Sequence, residues 1–294
     1  MAEASEREIK ALIALLDDTD REVFEHVSDK LFSMGPGVIG VLEDAYTSIA
    51  DQLTQQRIEN LIHSIQFSLV KKELTEWMHS EPDDLLKGLL IMNRYQYPLA
   101  DEDALMQRWQ QFRKDIWLGL NMYLSPLEQI DVVNQVLFGQ GGLTGTDEEK
   151  DAARFSFIGH VLESGRGNHF SIGLIYLALC QQLGLPVYGV LLRSHFILVR
   201  CREEILQIRD LNTLIDEVLF YINPYNRGLT FSEREIRNYI EKAGLEPVKH
   251  YFLPAGNLEV MAEYLRFLQD QFADSGAQWK CDDLEQLIHL LDKA

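Results

Sequence analysis

Apolar residues recur three and four positions apart over the first quarter of the chain. Ile9, Leu12, Ile13 and Leu16 form one stripe and Val23, Val27, Leu31 and Met34 the next, so two amphipathic helices are predicted. Ser5 with Glu8, and Thr19 with Glu22, have the spacing of capping boxes that would open them, and Gly35-Pro36-Gly37 would end the second. Further helices are expected over 38–51 and 53–79, and again between 83 and 138. One of these is opened by Ser125-Pro126-Leu127-Glu128, with proline at its first position. The glycine-rich run 139–145 reads as a loop. It follows no strand and lacks the Gly-Lys-Ser/Thr ending of a phosphate cradle, so a nucleotide site is not expected there.

The pattern changes after Gly165. The segment 170–183 is apolar nearly all round, through Ile172, Leu174, Ile175, Leu177, Ala178 and Leu179, which predicts a helix buried on most sides. Gly184-Leu185-Pro186 stops it. Short strands are then expected at 187–192, 195–201, 205–208 and 220–222, the last ended by the turn-rich Asn223-Pro224-Tyr225-Asn226-Arg227-Gly228. A helix starts near Ser232 and runs to about 243. After Pro254 two amphipathic helices, 258–272 and 281–291, form a terminal hairpin. The fold class is therefore α+β and mainly helical: a buried helix packed on a small antiparallel sheet, flanked by helical N- and C-terminal segments. The phrase Leu15-Leu16-Asp17-Asp18-Thr19-Asp20-Arg21-Glu22-Val23 resembles the helical hairpins of HEAT-class solenoids, although an ordinary bundle fits the same stripes. Three regions are expected: 1–80, 81–245 and 246–294.

Composition narrows the partners. With 294 residues and 46% hydrophobic content the chain has ample apolar surface for real cores, and a net charge of −19 repels phosphate backbones and anionic membranes. A nucleic-acid partner is not expected, and no apolar stretch is long enough for membrane insertion. The polar first ten residues suggest no leader. The three cysteines, Cys180, Cys201 and Cys281, contain no C-x-x-C pair, which disfavours a disulfide framework or a thiolate zinc site and suits a reducing cytoplasm.

Three features then stand in order: Gly167-Asn168-His169-Phe170-Ser171 at the start of the buried helix, Ser194-His195-Phe196 opening a strand, and Tyr221-Ile222-Asn223-Pro224 closing another. That order resembles transglutaminase-like and papain-like folds. The stretch 131–236 resembles the SirB family of transglutaminase-like proteins, through Leu162-Glu163 with Gly167-Asn168, Tyr176-Leu177-Ala178 with Leu183-Gly184-Leu185-Pro186, then Gly189, His195-Phe196 and the 223–228 turn. The resemblance implies a cysteine at the helix start, a histidine on one strand and an Asp or Asn on the next. A helix N-terminus lowers a thiol's pKa and holds an oxyanion, histidine takes the proton, and the third residue fixes the imidazole tautomer.

This chain departs from that pattern at the nucleophile, where it offers His169, Phe170 or Ser171. Cys180 stands nine residues past Ser171, about 13 Å along a helix, and Cys201 six residues past His195, about 20 Å along a strand. Neither is placed to serve, and Cys281 lies outside the matched stretch. Two functional classes remain. The first is a non-catalytic interaction or scaffold module that has lost its nucleophile, with a protein partner and no cofactor. The second is an amide-directed hydrolase or acyl-transferase using Ser171, His195 and Asn223 as a remnant triad. A third reading is a helical adaptor for which the sheet is only a platform. The expected groove comprises Asn168, His169, Arg193, His195, Asn223 and Arg227, of which Asn168 also reads as a helix cap. Arg166, Arg193, Arg200, Arg202, Arg209 and Arg227 would favour an acidic ligand if they lined one groove, and would otherwise be solvated strand ends. A metal between His169 and His195 lacks an evident third ligand, so none is expected.

Overall fold

The N-terminal stripes meet in one shared core. The computed structural model describes residues 6–18, 20–146, 152–192, 195–202, 216–242 and 249–293. Within it, α1 (Glu6–Ile13) and α2 (Arg21–Ser33) bury Ile9, Ile13, Val27 and Leu31. Helix α3 (Ile39–Ser48) and the first part of α4 (Gln52–Ser80) add Leu42, Ile58, Leu61 and Ile65 to the same cluster. Arg57 donates to the carbonyls of Leu16 and Asp18 at 2.7 and 3.0 Å, satisfying acceptors that the end of a helix leaves open. The start of α2 is capped by Asp20, whose carboxylate accepts from the N–H of Glu22 at 2.9 Å. Ser5 and Thr19, the expected caps, lie outside the described residues. Gly35–Val38 forms a 3-10 turn, which delays α3 by one residue.

The chain divides into two units, Met1–Thr75 and Glu76–Ala294. In the second, α5 (Leu85–Gln96), α6 (Glu102–Gly119) and α7 (Pro126–Asn134) precede a π-helical turn at Gln135–Gln140. The predicted capping box is present: Ser125 and Glu128 each accept from the other's backbone N–H, at 3.4 and 2.8 Å. The glycine-rich run is not entirely loop. It ends in β1 (Thr144–Gly145), which pairs in parallel with β2 (Arg166–Gly167) beyond α8 (Ile158–Ser164). This pairing ties the 139–145 segment to the start of the buried helix, α9 (His169–Gln182), in which every residue from Phe170 to Cys180 is buried.

Strands β3 (Val187–Leu192), β4 (His195–Cys201), β5 (Val218–Asn223) and β6 (Leu229–Phe231) form an antiparallel sheet in that order. Phe196 stacks on Phe170 of α9 with ring centroids 4.7 Å apart. The approach requires Gly173, since a Cβ there would stand 2.5 Å from the Phe196 ring. Side chains alternate across a strand, so the opposite face carries Tyr188, Val190, Ile197, Val199 and Tyr221. Ile236 of α10 (Glu233–Lys242) and Phe252 cover them. The expected strand 205–208 lies outside the described residues. β4 pairs instead with β5, with Leu198 opposite Ile222, and the three-residue β6 was not anticipated.

The terminal hairpin of α11 (Asn257–Ser275) and α12 (Gln278–Leu291) was expected as a region of its own. It is part of the second unit because its contacts are internal to that unit. The Tyr264 hydroxyl donates to the Ser156 carbonyl at 3.0 Å, and just before α11 the N–H of Ala255 donates to the carbonyl of Gly189 at 2.8 Å. Among the described residues, no helix is long and apolar enough to cross a membrane.

Candidate functional site

Helix α9 begins where it does because Asn168 caps it. Its Oδ1 accepts from the N–H groups of Phe170 and Ser171 at 3.1 and 2.9 Å, and its Nδ2 donates to Ser156 Oγ at 2.7 Å. Ser171 is turned inward. Its hydroxyl is buried, donates to the Phe155 carbonyl at 2.6 Å, and lies so close to Gly167 that a Cβ there would stand 2.7 Å from Oγ. The residue expected as a serine nucleophile therefore joins α9 to the 3-10 turn Ala152–Ser156. The N–H groups of Phe170 and Ser171 at the helix start are thus already taken up by Asn168.

The capped start also fixes which side chain meets the strand histidine. Each helical residue advances about 100°, so His169 and Ser171 point to nearly opposite sides of α9. His169 takes the side toward β4: its ring centroid is 5.8 Å from that of His195, with 35° between planes. Phe267 of α11 closes the other side, edge-on to His169 at 5.0 Å and stacked on Phe170 at 5.2 Å. His195 is the first residue of β4 and pairs with Leu192 across the hairpin. It is exposed as a residue, yet partial burial of its ring disfavours the charged form and holds its pKa below the ordinary 6.5.

Asn223 ends β5, and its side chain closes the turn that follows. Continuing the register one rung past Leu198–Ile222 sets Asn223 opposite Ile197, about 7 Å of strand from His195. Its Oδ1 accepts from the N–H of Asn226 at 3.1 Å and closes the 3-10 turn Pro224–Asn226. The rest of the turn docks on the segment after α7. Arg227 donates to the Phe138 carbonyl at 2.9 Å, and Asn134 donates to the Gly228 carbonyl at 3.1 Å while accepting from the Tyr176 hydroxyl at 3.0 Å.

Of the expected groove, then, His169 and His195 come together. Asn168 adjoins them but faces Ser156, Asn223 and Arg227 build the turn, and Arg193 lies outside the described residues, as does Arg209. The other arginines diverge. Arg166 donates to Thr146 Oγ1 at 2.8 Å, Arg202 lies 3.9 Å from Glu217, and the buried Arg200 reaches Gln129 at 2.9 Å and the Cys201 carbonyl. They do not line one groove.

The sulfur atoms are elsewhere. Cys180 is buried at the far end of α9, about 16 Å along the axis from His169, and its burial pushes the thiol pKa well up. At the far end of β4, burial pushes the Cys201 thiol up to about 12, partly opposed by Arg200. Cys281, on α12, lies 3.6 Å from the Gln269 carbonyl. Among the described residues no group of three His, Cys, Asp or Glu is placed to hold a metal ion. Of the expected groove residues, the Asn168 cap and the 100° step per residue set His169 rather than Ser171 toward β4.

A buried helix start, a strand beginning with His195 in an antiparallel sheet, and an Asn-Pro turn closing the next strand are the arrangement of a transglutaminase-like domain. The family model of the transglutaminase-like superfamily matches residues 102–266, more than half of the chain, and the chain belongs to that superfamily. Two curated relatives, each called UPF0162 protein, come from Xylella fastidiosa strains 9a5c and Temecula1. Each is 25% identical over 200 residues, covering 65% of this chain and 66% of the relative, so the chain spans just under two thirds of their length. No solved structure matches the chain significantly.

Proposed function

We propose that this is a non-catalytic transglutaminase-like protein of the SirB type, which has lost the cysteine nucleophile and acts in the cytoplasm as a protein-interaction or scaffold module, with HEAT-like helices at its N-terminus. The observation that carries this reading is the pairing of His169 with His195 at the start of α9. A second imidazole stands where the chemistry of the fold calls for a thiol, and it supplies no sulfur for the helix field to ionise. The hydrolase or acyl-transferase alternative is not favoured, because the Ser171 proton is directed to the Phe155 carbonyl in the core. The test is a turnover assay of the full chain on amide and activated-ester acyl substrates. Wild type is expected to match His195→Ala within error. Turnover lost in both His169→Ala and His195→Ala would overturn the non-catalytic reading. For the interaction role, wild-type and His195→Ala baits in a native-cell pull-down report whether partners use this face.

A further inference from the structure

The corner between α6 and α7 is apolar and faces outward. Its turn is well made: Asn121 accepts from the N–H of Tyr123 at 3.0 Å through Oδ1, and from the N–H of Leu124 at 3.3 Å through its carbonyl. Gly119 admits Val132 so closely that a Cβ there would stand 2.6 Å from it, which locks α6 against α7. Yet this ordered corner leaves Trp117 64%, Leu118 63%, Met122 86% and Tyr123 88% exposed, with Leu127 beside them at 47%. Next to Trp117 is a cavity of about 520 Å³ lined by Gln110, Arg113, Lys114, Trp117, Gln182 and Leu183. Its only charged lining groups are cations, in a chain of net charge −19.

We infer that this corner joins two copies of the chain about a two-fold axis, with Met122 and Tyr123 of each copy entering the cavity beside Trp117 of the other. A projecting pair five and six residues from the Trp117 that lines a receiving hollow supplies both halves of an isologous contact, and reciprocal insertion closes the assembly at two. The area is sufficient. The five exposed apolar side chains present on the order of 600–700 Å² per copy, or about 1,300 Å² for the pair, within the range of specific interfaces. Charge is also self-complementary: exposed Arg113 and Lys114 precede the corner on α6, where the half-buried Asp115 is taken up by Gln111, and exposed Glu128 and Asp131 follow it on α7. A two-fold meeting brings the cations of one copy toward the carboxylates of the other. Aromatic, methionine and arginine side chains at the centre match the composition of protein contacts. An anionic membrane is the less suitable occupant, because the rest of the molecule repels it.

The experiment is sedimentation velocity with light scattering on the full chain over about 1–100 µM, a range in which contacts of this size are resolved. The expected mass is twice the 33.9 kDa of one chain. Met122→Asp with Tyr123→Asp is expected to raise the dissociation constant at least about a hundredfold while leaving the far-ultraviolet circular dichroism unchanged. Lys114→Glu is expected to weaken association about tenfold, and Asp131→Lys in the same chain to restore it. Four results would overturn the inference: a monomer throughout; a dimer indifferent to the paired aspartates; assemblies growing beyond two; or a monomer that cosediments with anionic phospholipid vesicles. None of them bears on acyl turnover, so the proposed function stands or falls separately.

Discussion

Asn168 and Asn223 stand at two ends of the same expected site and perform the same local task in different settings. Each side chain accepts backbone N–H groups at the start of a helical segment, Asn168 for α9 and Asn223 for the 3-10 turn after β5. Asn168 does so in two directions at once, because its amide also holds the buried Ser156 hydroxyl. The Asn223 side chain accepts a single N–H in a half-exposed turn, and that turn is held to the protein through its neighbours Arg227 and Gly228. The lesson is that polar residues in a catalytic-looking order can be committed to architecture. The helix start rests on one asparagine bonded in two directions, whereas the turn shares its attachment among Asn223, Arg227 and Asn134.

The sharpest break of that comparison is at Gly228. It has φ +74°, and a Cβ there would stand 1.8 Å from Asn134 Oδ1, which also receives the Tyr176 hydroxyl. Gly228→Ala is expected to cost about 3–4 kcal/mol in chemical denaturation, the sum of left-handed strain and a disrupted buried network. Asn168→Ala should cost about 2–3 kcal/mol, since it removes a cap and leaves the Ser156 hydroxyl without its amide partner. A loss below that of an ordinary surface cap would show that the start of α9 is held by packing alone. Ser171→Ala follows at about 1–2 kcal/mol, with no effect on any acyl turnover. Asn223→Ala is expected at about 0.5–1 kcal/mol, and a larger loss would make the two asparagines equivalent after all.

The smallest effect is a pH dependence. His195 binds its proton less tightly in the folded chain than in the unfolded one, so between its folded pKa and about 6.5 the unfolded chain carries more protons. Stability from this group is complete above pH 6.5 and declines as the pH falls through that window. Chemical denaturation of wild type against His195→Ala at successive pH values measures it, and parallel slopes would remove His195 as the source.

Much of this architecture was legible because it is local. The all-round apolar run from Ile172 to Leu179 announced α9, Gly184-Leu185-Pro186 its end, and Ser125 with Glu128 the start of α7. What stayed hidden depends on partners far away in sequence. The parallel pairing of Thr144–Gly145 with Arg166–Gly167 joins segments with no periodicity of their own, and β6 is only three residues long. At the site, the sequence leaves His169, Phe170 and Ser171 open for the position facing the histidine strand, and rotation about α9 separates them. That separation follows from the cap at Asn168 and from Gly167 admitting the serine hydroxyl. Arg200 reads as a solvated strand end or a groove cation and Arg227 as a groove residue, but the first is buried within β4 and the second binds a carbonyl at 2.9 Å.

The placement of the three sulfurs carries a practical consequence. Cys180, Cys201 and Cys281 are all buried in the native chain, one near the end of α9, one at the end of β4 and one on α12. A thiol-specific label therefore reacts only when the surrounding element opens, and the modification rate at each position records how often it does. Single-cysteine versions would turn the folded protein into its own set of local opening gauges.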